Sequence, residues 1–142
     1  MRQVKHLLEG KGGQVFSVEP DQPVLQAIQA MADHHVGALL VMNGEELAGI
    51  VSERDYARKV ILLGRSSAET PVWQIMSAPV ETVSPDNTVD ECMLLCTQRR
   101  IRHLPVVAQG RVVGVISIGD LVKAVIEEQA EALAHMQRYI AG

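Results

Sequence analysis

Aromatic residues are scarce in this chain of 142 residues: one Trp, two Tyr and one Phe, 3% of the total. Any core must therefore be built from Val, Leu, Ile, Ala and Met. Cysteine is rarer still. Cys92 and Cys96 are too few for a disulfide framework and lack the paired spacing of a zinc site, so no metal is expected. A reducing, cytoplasmic setting is the economical expectation. Long apolar runs are missing too: Val36–Met42 and Val60–Leu63 fall far short of the roughly 20 residues that a helix needs to span a bilayer. The charged start, Met1 to His6, is not followed by the apolar stretch of a secretory leader. There is no excess of basic charge: the net charge of −4 argues against a nucleic-acid binder. Catalytic signatures are lacking as well. No nucleophile–base constellation is apparent, and Gly10-Lys11-Gly12-Gly13 has neither the spacing nor the preceding strand of a phosphate-binding loop. An enzyme is not expected.

What is present is an ordinary globular composition, 47% hydrophobic and 21% charged, at a length that buries about 70% of the unfolded surface. The chain also repeats itself. Shifted by 65 positions, Val15–Val60 lies over Val80–Val125 without a gap. Identities include Val18/Val83, Pro20/Pro85, Asp21/Asp86, Leu39/Leu104, Gly49/Gly114, Ser52/Ser117 and Asp55/Asp120. Upstream, Val4-Lys5-His6-Leu7-Leu8 echoes Val72-Trp73-Gln74-Ile75-Met76.

Each copy reads as β-α-β-β-α. A strand (Val15–Val18 or Val80–Val83) ends at Pro-Asp, where Asp21 or Asp86 is the expected N-cap. The following helix gathers Val24, Ala27, Ile28 and Met31, or Val89, Cys92, Met93 and Cys96, on one face. A hairpin turns at Asn43-Gly44 or Gln109-Gly110. A second helix opens at Ser52 and stops near Gly64; its counterpart opens at Ser117 and runs toward Met136 and Tyr139. The expected division is a first unit over residues 1–64, a linker with a short helix over 65–79, and a second unit over 80–142 with an extended C-terminal helix. The fold class is α+β or α/β, the two units packing sheet to sheet.

Ser52-Glu53-Arg54-Asp55 and Ser117-Ile118-Gly119-Asp120 satisfy the pattern of a capping box, in which side chains and backbone donors at a helix start serve each other. A carboxylate at that place also has the two acceptors that a cis-diol requires, and a helix N-terminus favours a phosphate. Arg99, Arg100 and Arg102 with His103 reverse the local charge of an acidic chain. They suit either a solvated helix end or a phosphate contact with forked geometry.

Four segments resemble the CBS domain, named after the regulatory domain of cystathionine β-synthase. They are Ile101-Arg102-His103-Leu104-Pro105-Val106-Val107, Gly49-Ile50-Val51-Ser52-Glu53-Arg54-Asp55, Gly114-Val115-Ile116-Ser117-Ile118-Gly119-Asp120, and Trp73-Gln74-Ile75-Met76. The match covers nearly the whole chain and resembles a stand-alone tandem pair. It implies pseudo-twofold symmetry and clefts that bind adenosine-containing ligands, AMP first, with ADP, ATP, NAD(H) or S-adenosylmethionine as alternatives. Such a ligand would be regulatory, not an obligatory cofactor. The resemblance assigns Asp55 and Asp120 to ribose, with Ser52 and Ser117 near the phosphates. It adds Arg102 and His103 as phosphate contacts, with Arg54 as a partial substitute in the first copy, where Gly37 and Ala38 replace the basic pair. Ser17, Val18, Thr82, Val83, Ile101, Pro105 and Ile118 are candidates for the remaining contacts, the adenine slot among them. The family implies a homodimer that signals energy or redox state to an enzyme or transporter. The alternative is a ligand-independent interaction module using Leu121, Val122, Val125, Ile126, Leu133, Met136 and Ile140 of the C-terminal helix.

Overall fold

The computed structural model describes residues 2–141. They form two compact units, Val15–Glu81 and residues 2–14 together with 82–141. The architecture is mixed α+β, one sheet to each unit.

In the unit Val15–Glu81, strand β1 (Ser17–Val18) lies parallel to β2 (Ala38–Asn43), which pairs antiparallel with β3 (Glu46–Ser52). Helix α2 (Val24–His34) buries Val24, Ala27 and Met31 against the sheet, the face that the apolar spacing predicts. Ser52 N-caps helix α3 (Glu53–Tyr56), which widens after one turn into a π-helical stretch, Ala57–Ile61. Gly64, with φ of +67°, lies just beyond this stretch, where a left-handed residue closes a helix without a Cβ penalty.

The second unit repeats the plan with α4 (Val89–Arg99), the hairpin of β4 (His103–Ala108) and β5 (Arg111–Ser117), and α5 (Ile118–Ala141). The expected first strand over Val80–Val83 shrinks to one parallel bridge, Val83 to Val106. Gln109 and Gly110 both take positive φ, as a two-residue turn of the mirror-image type demands. In the first hairpin Asn43 pairs with Glu46, which moves the turn one residue on, to Gly44-Glu45.

Two helix starts differ from expectation. Pro23 and Thr88, not Asp21 and Asp86, are the N-caps; Thr88 forms a capping box with Glu91, whereas the apolar ring of Pro23 has no acceptor to offer. The acids sit too far upstream to reach the first free N–H groups, and Asp86 donates its own N–H to Ser84 Oγ at 3.2 Å.

The units also divide differently from the 1–64, 65–79 and 80–142 scheme. The segment before each repeat packs into the other repeat. Val72 and Ile75, from the short 3₁₀ turn Val72–Gln74 and the residue after it, complete the core of Val15–Glu81. Helix α1 (Val4–Lys11) places Val4 in the core of the second unit, with Leu7 and Leu8 packed against it. The two dockings share one hydrogen-bond pattern. Val72 N donates to Gln22 O and Val4 N to Asn87 O, both at 2.9 Å. Trp73 N donates to Pro20 O and Lys5 N to Pro85 O, both at 3.0 Å. The physical reason is steric as well as apolar. A Cβ on Gly49 would stand 2.6 Å from Met76 Sδ, and one on Gly114 would stand 2.6 Å from Leu8 Cδ2. Both strands carry glycine where the exchanged segment crosses them.

Candidate functional site

Each Ser-x-x-Asp motif is a working capping box. In the first unit, the N–H and Oγ of Ser52 both donate to Asp55 Oδ2 at 3.0 Å, and Asp55 N–H donates to Ser52 Oγ at 3.2 Å. The other carboxylate oxygen is engaged too: Lys59 Nζ lies 3.1 Å from Oδ1, and Ser77 Oγ donates to it at 3.4 Å. Lys59 also donates to Ile75 O at 2.9 Å, so it ties the π-helical stretch to the exchanged segment. Asp55 is buried.

In the second unit, Ser117 N–H donates to Asp120 Oδ2 at 2.8 Å and Asp120 N–H to Ser117 Oγ at 3.1 Å. Lys11, from the end of α1, donates to the same Oδ2 at 2.6 Å and to Val115 O at 2.9 Å. Burial pushes the Asp120 carboxyl up, but the Lys11 ammonium and the Ser117 donors outweigh it and hold the group below the ordinary carboxylate value. Among the described residues, the bonds that Asp120 accepts thus converge on one oxygen, whereas those to Asp55 occupy both.

The strand ends gather most of the remaining second-copy candidates. His103 stands opposite Ser117 in the register of β4 and β5, and Ile118 N–H donates to Arg102 O at 2.8 Å. This binds the basic entry of β4 to the start of α5. Val83 N–H donates to Pro105 O at 3.0 Å, placing Val83 alongside; Thr82 is exposed beside it, and Ile101 packs on the core. Arg102 is exposed and His103 half-buried. In the first unit, Glu53 N–H donates to Gly37 O at 3.1 Å, so Gly37 occupies the place of Arg102. Ser17 and Val18 lie opposite Leu40 and Val41 on the edge of the sheet, and Arg54 is exposed.

Lys11, Lys59 and Ser77 were not candidates from sequence. Lys59 was legible as an i,i+4 partner of Asp55. Lys11 was not, because only the fold brings it to Asp120. Around it, α1 and α5 border a groove of about 710 Å³ lined by Arg2, His6, Lys11, Asp120, Glu127 and Glu131, among others. Arg2 forks across Glu127 at 2.7 Å and Glu131 at 2.6 Å.

Two other features are structural. Cys92 and Cys96 are buried and unbridged, and burial, with smaller contributions from Cys96 and Glu91, pushes the Cys92 thiol up to about 11. His34 stacks on Phe16 with ring centroids 3.8 Å apart. Among the described residues no cluster of three or more His, Cys, Asp or Glu could hold a metal ion, and no helix is long and apolar enough to cross a membrane.

Comparison with known proteins agrees with this geometry. The CBS domain family matches residues 13–61 and 72–127. A CBS domain-containing protein of Arabidopsis thaliana, CBSX3, described as mitochondrial, is 46% identical over 127 residues, covering 86% of this chain. This chain spans 62% of that protein's length. A CBS-domain protein of Burkholderia ambifaria of known structure is 49% identical and superposes with a TM-score of 0.86, covering 89% of this chain and 96% of that one. The CBS domain pair of protein MJ0100, solved with 5′-methylthioadenosine and S-adenosylmethionine, is 22% identical and shares the fold with a TM-score of 0.80, over 90% of this chain and 98% of its own. With two family matches set on two repeated units, each built around a strand-end Ser-x-x-Asp box, the chain belongs to the CBS domain family as a tandem pair.

Proposed function

We propose that this CBS pair is a regulatory binding module for an adenosine-containing ligand, and that the second unit carries the competent site. The observation that carries this reading is the asymmetry of the two carboxylates. Asp55 has both oxygens engaged within its own unit, whereas the bonds to Asp120 fall on Oδ2. Among the described residues no bond falls on Asp120 Oδ1, whose lone pairs would meet the ribose hydroxyls. An ionised, acceptor-only carboxylate suits that role, and Asp120 is held below the ordinary carboxylate value.

Phosphate oxygens would be met by Ser117, Arg102 and His103 at the start of α5. That helix runs 24 residues and so sustains a full dipole, whereas α3 gives way to a π-helical stretch after four residues. Thr82, Val83, Ile101, Pro105 and Ile118 would line the adenine. Ser17, Val18, Ser52, Arg54 and Asp55 form the weaker counterpart in the first unit. AMP is the first ligand to test, since one phosphate matches one arginine and one helix start; ADP, ATP and NAD(H) follow. The MJ0100 pair supports the adenosine class through the ligands of its complex. A ligand favouring one conformation would pass its occupancy to an enzyme or transporter, within the limit set by its differential affinity. The cytoplasm and a homodimer complete the reading.

Thermal unfolding against AMP, ADP, ATP, NAD⁺, NADH and S-adenosylmethionine tests it. At a ligand concentration 100 times Kd, stabilisation is about 2.7 kcal/mol, several degrees in Tm. The shift is expected to survive Asp55→Ala and vanish in Asp120→Ala. No shift with any of these ligands would refute the proposal and leave the interaction module, which the exposed apolar residues of α5 favour.

A further inference from the structure

Gly10-Lys11-Gly12-Gly13 lies outside the ligand contacts proposed above, yet the fold holds its lysine in place. Gly12, with φ of +92°, caps α1 and donates its N–H to Leu8 O at 2.7 Å. At Gly13 the chain passes so near β5 that a Cβ would stand 2.9 Å from Val113 O. Lys11 reaches further along the same strand, where Nζ donates to Val115 O at 2.9 Å and to Asp120 Oδ2 at 2.6 Å. The carbonyl of β5 anchors the ammonium independently of the carboxylate. Ser117 N–H donates to the same Oδ2 at 2.8 Å, and among the described residues no bond falls on Oδ1. Both side chains border the groove between α1 and α5, with Lys11 42% and Asp120 27% exposed, so a ligand can reach the pair. The first unit is built differently. Counting from the matched Val4 and Val72, Pro79 stands where Lys11 does, and proline offers no donor. There the exchanged segment supplies Ser77 Oγ and the π-helical stretch supplies Lys59, and both meet Oδ1 of Asp55.

We infer that Lys11 is a positioning residue of the second unit's ligand site, turning Asp120 so that Oδ1 meets the ribose hydroxyls, and that site occupancy and the docking of α1 therefore strengthen each other. This role rests on the nucleotide reading of Asp120. With both donors on Oδ2 the carboxyl plane is fixed before the ligand arrives. Without Lys11 the Ser117 N–H alone holds it, the plane can rotate, and the diol must order it on binding. Burial pushes the Asp120 carboxyl up, whereas Lys11 and Ser117 draw it down. The lysine thus also keeps the group in the acceptor-only form that a diol needs. Linkage makes the effect mutual: the factor that Lys11 contributes to ligand affinity is the factor by which the ligand steadies Lys11 on Asp120. Val4 in the core and the Arg2 fork hold the other end of α1, so the change falls on its last turn.

A cycle that removes the lysine and the ribose hydroxyls in turn tests the role. Wild type, Lys11→Gln and Lys11→Arg are titrated calorimetrically with the 5′-mono- and triphosphates of adenosine and of 2′,3′-dideoxyadenosine, which lacks the diol. Lys11→Gln is expected to weaken the adenosine compounds by about three- to fivefold, the reach of a partly solvated ion pair. The dideoxy compounds should lose much less, because the lysine acts through the diol's acceptor, and Lys11→Arg should recover most of the affinity. Amide exchange gives the second readout: saturating nucleotide should slow exchange of the Gly12 N–H in the wild type and not in Lys11→Gln. No binding of any of these compounds to the wild type would refute the nucleotide reading and the role of Lys11 with it. Where the wild type binds, affinity unchanged in Lys11→Gln, or an equal loss for the dideoxy compounds, would overturn the positioning role alone. Tighter binding by Lys11→Gln would overturn it as well, by making Lys11 a competitor of the ribose.

Discussion

Replacing Gly49 and Gly114 by alanine, one at a time, asks how firmly each exchanged segment is clasped. Neither glycine has the positive φ that would penalise a side chain, so the backbone accepts alanine and the cost is one of space. At Gly114 the three atoms nearest the new methyl all belong to Leu8: Cδ2 at 2.6 Å, Cδ1 at 3.4 Å and Cγ at 3.6 Å. Leu8 is half-buried on α1, and its side chain can rotate aside. At Gly49 the methyl meets Met76 Sδ at 2.6 Å, Met76 Cγ at 3.0 Å and the backbone oxygen of Ser77 at 3.0 Å. Ser77 cannot retreat freely, because its N–H donates to Ile50 O at 2.8 Å and its O accepts from Ile50 N at 3.1 Å. Overpacking costs about 1–3 kcal/mol, offset by about 0.4–1 kcal/mol from the stiffer unfolded chain. Gly49→Ala should therefore lose about 2 kcal/mol and Gly114→Ala under about 1 kcal/mol. For a chain of this size that is roughly 6–10 °C against less than about 5 °C. Urea and thermal unfolding of the two variants side by side measure the difference. Equal losses would refute the distinction between a side-chain and a backbone obstacle, and a neutral Gly49→Ala would refute the close approach itself.

The remaining expectations concern helix starts, the thiols and the Lys11–Asp120 pair. Thr88→Ala removes the acceptor for Glu91 N–H and should cost about 1 kcal/mol in urea unfolding. An alanine at Pro23, where no side-chain cap exists, loses no such bond. The Cys92 thiol, pushed up to about 11, should resist Ellman's reagent at neutral pH in the folded chain and react once the chain is unfolded in urea; fast labelling of the native state would contradict the buried core position. Asp120 is depressed in the folded state, so its contribution is complete above the unfolded value of about 3.9 and fades as pH falls through the folded one. Lys11→Gln should lose under about 1 kcal/mol, since both partners are partly solvated. Its deficit against the wild type should be constant from neutral pH down to about 5 and close below that. A deficit that grows on acidification would reverse the sign and refute the assignment.

Much of this was legible because the chain states its plan twice. The 65-residue offset carries helices, hairpins and Ser-x-x-Asp boxes in register, and amphipathic spacing marked Val24, Ala27 and Met31, as well as Val89, Cys92 and Cys96, as buried. The family resemblance followed from local motifs. What local sequence could not convey was which half each leading segment joins. Val4 and Val72 are apolar residues with two possible hosts, and periodicity within α1 identifies a buried face without naming the surface it meets. The same blindness hid Lys11. Its neighbours Gly10, Gly12 and Gly13 invited comparison with a phosphate loop, while its partner Asp120 lies 109 residues away. The π-helical stretch after Tyr56 was equally silent, since Ala57–Ile61 contains no breaker. Helix caps were misjudged for a simpler reason: an acid two residues too early has the right chemistry at the wrong reach.

The exchange of leading segments bears on how the chain is made. Val15–Glu81 is continuous and is synthesised in full before β4, β5 and α5 of the second unit, so it can close while synthesis proceeds. Helix α1 emerges before any of it, yet the surface that receives it, around Asn87 and Gly114, is made late. Arg2 must wait for Glu127 and Glu131. Helix α1, made before the first repeat, is thus among the last of these elements to dock, leaving Val4, Leu7 and Leu8 exposed while the intervening residues are made. A nascent chain arrested before Gly114 should present α1 to proteases and chaperones, and protection should appear only after β5 and α5 are released.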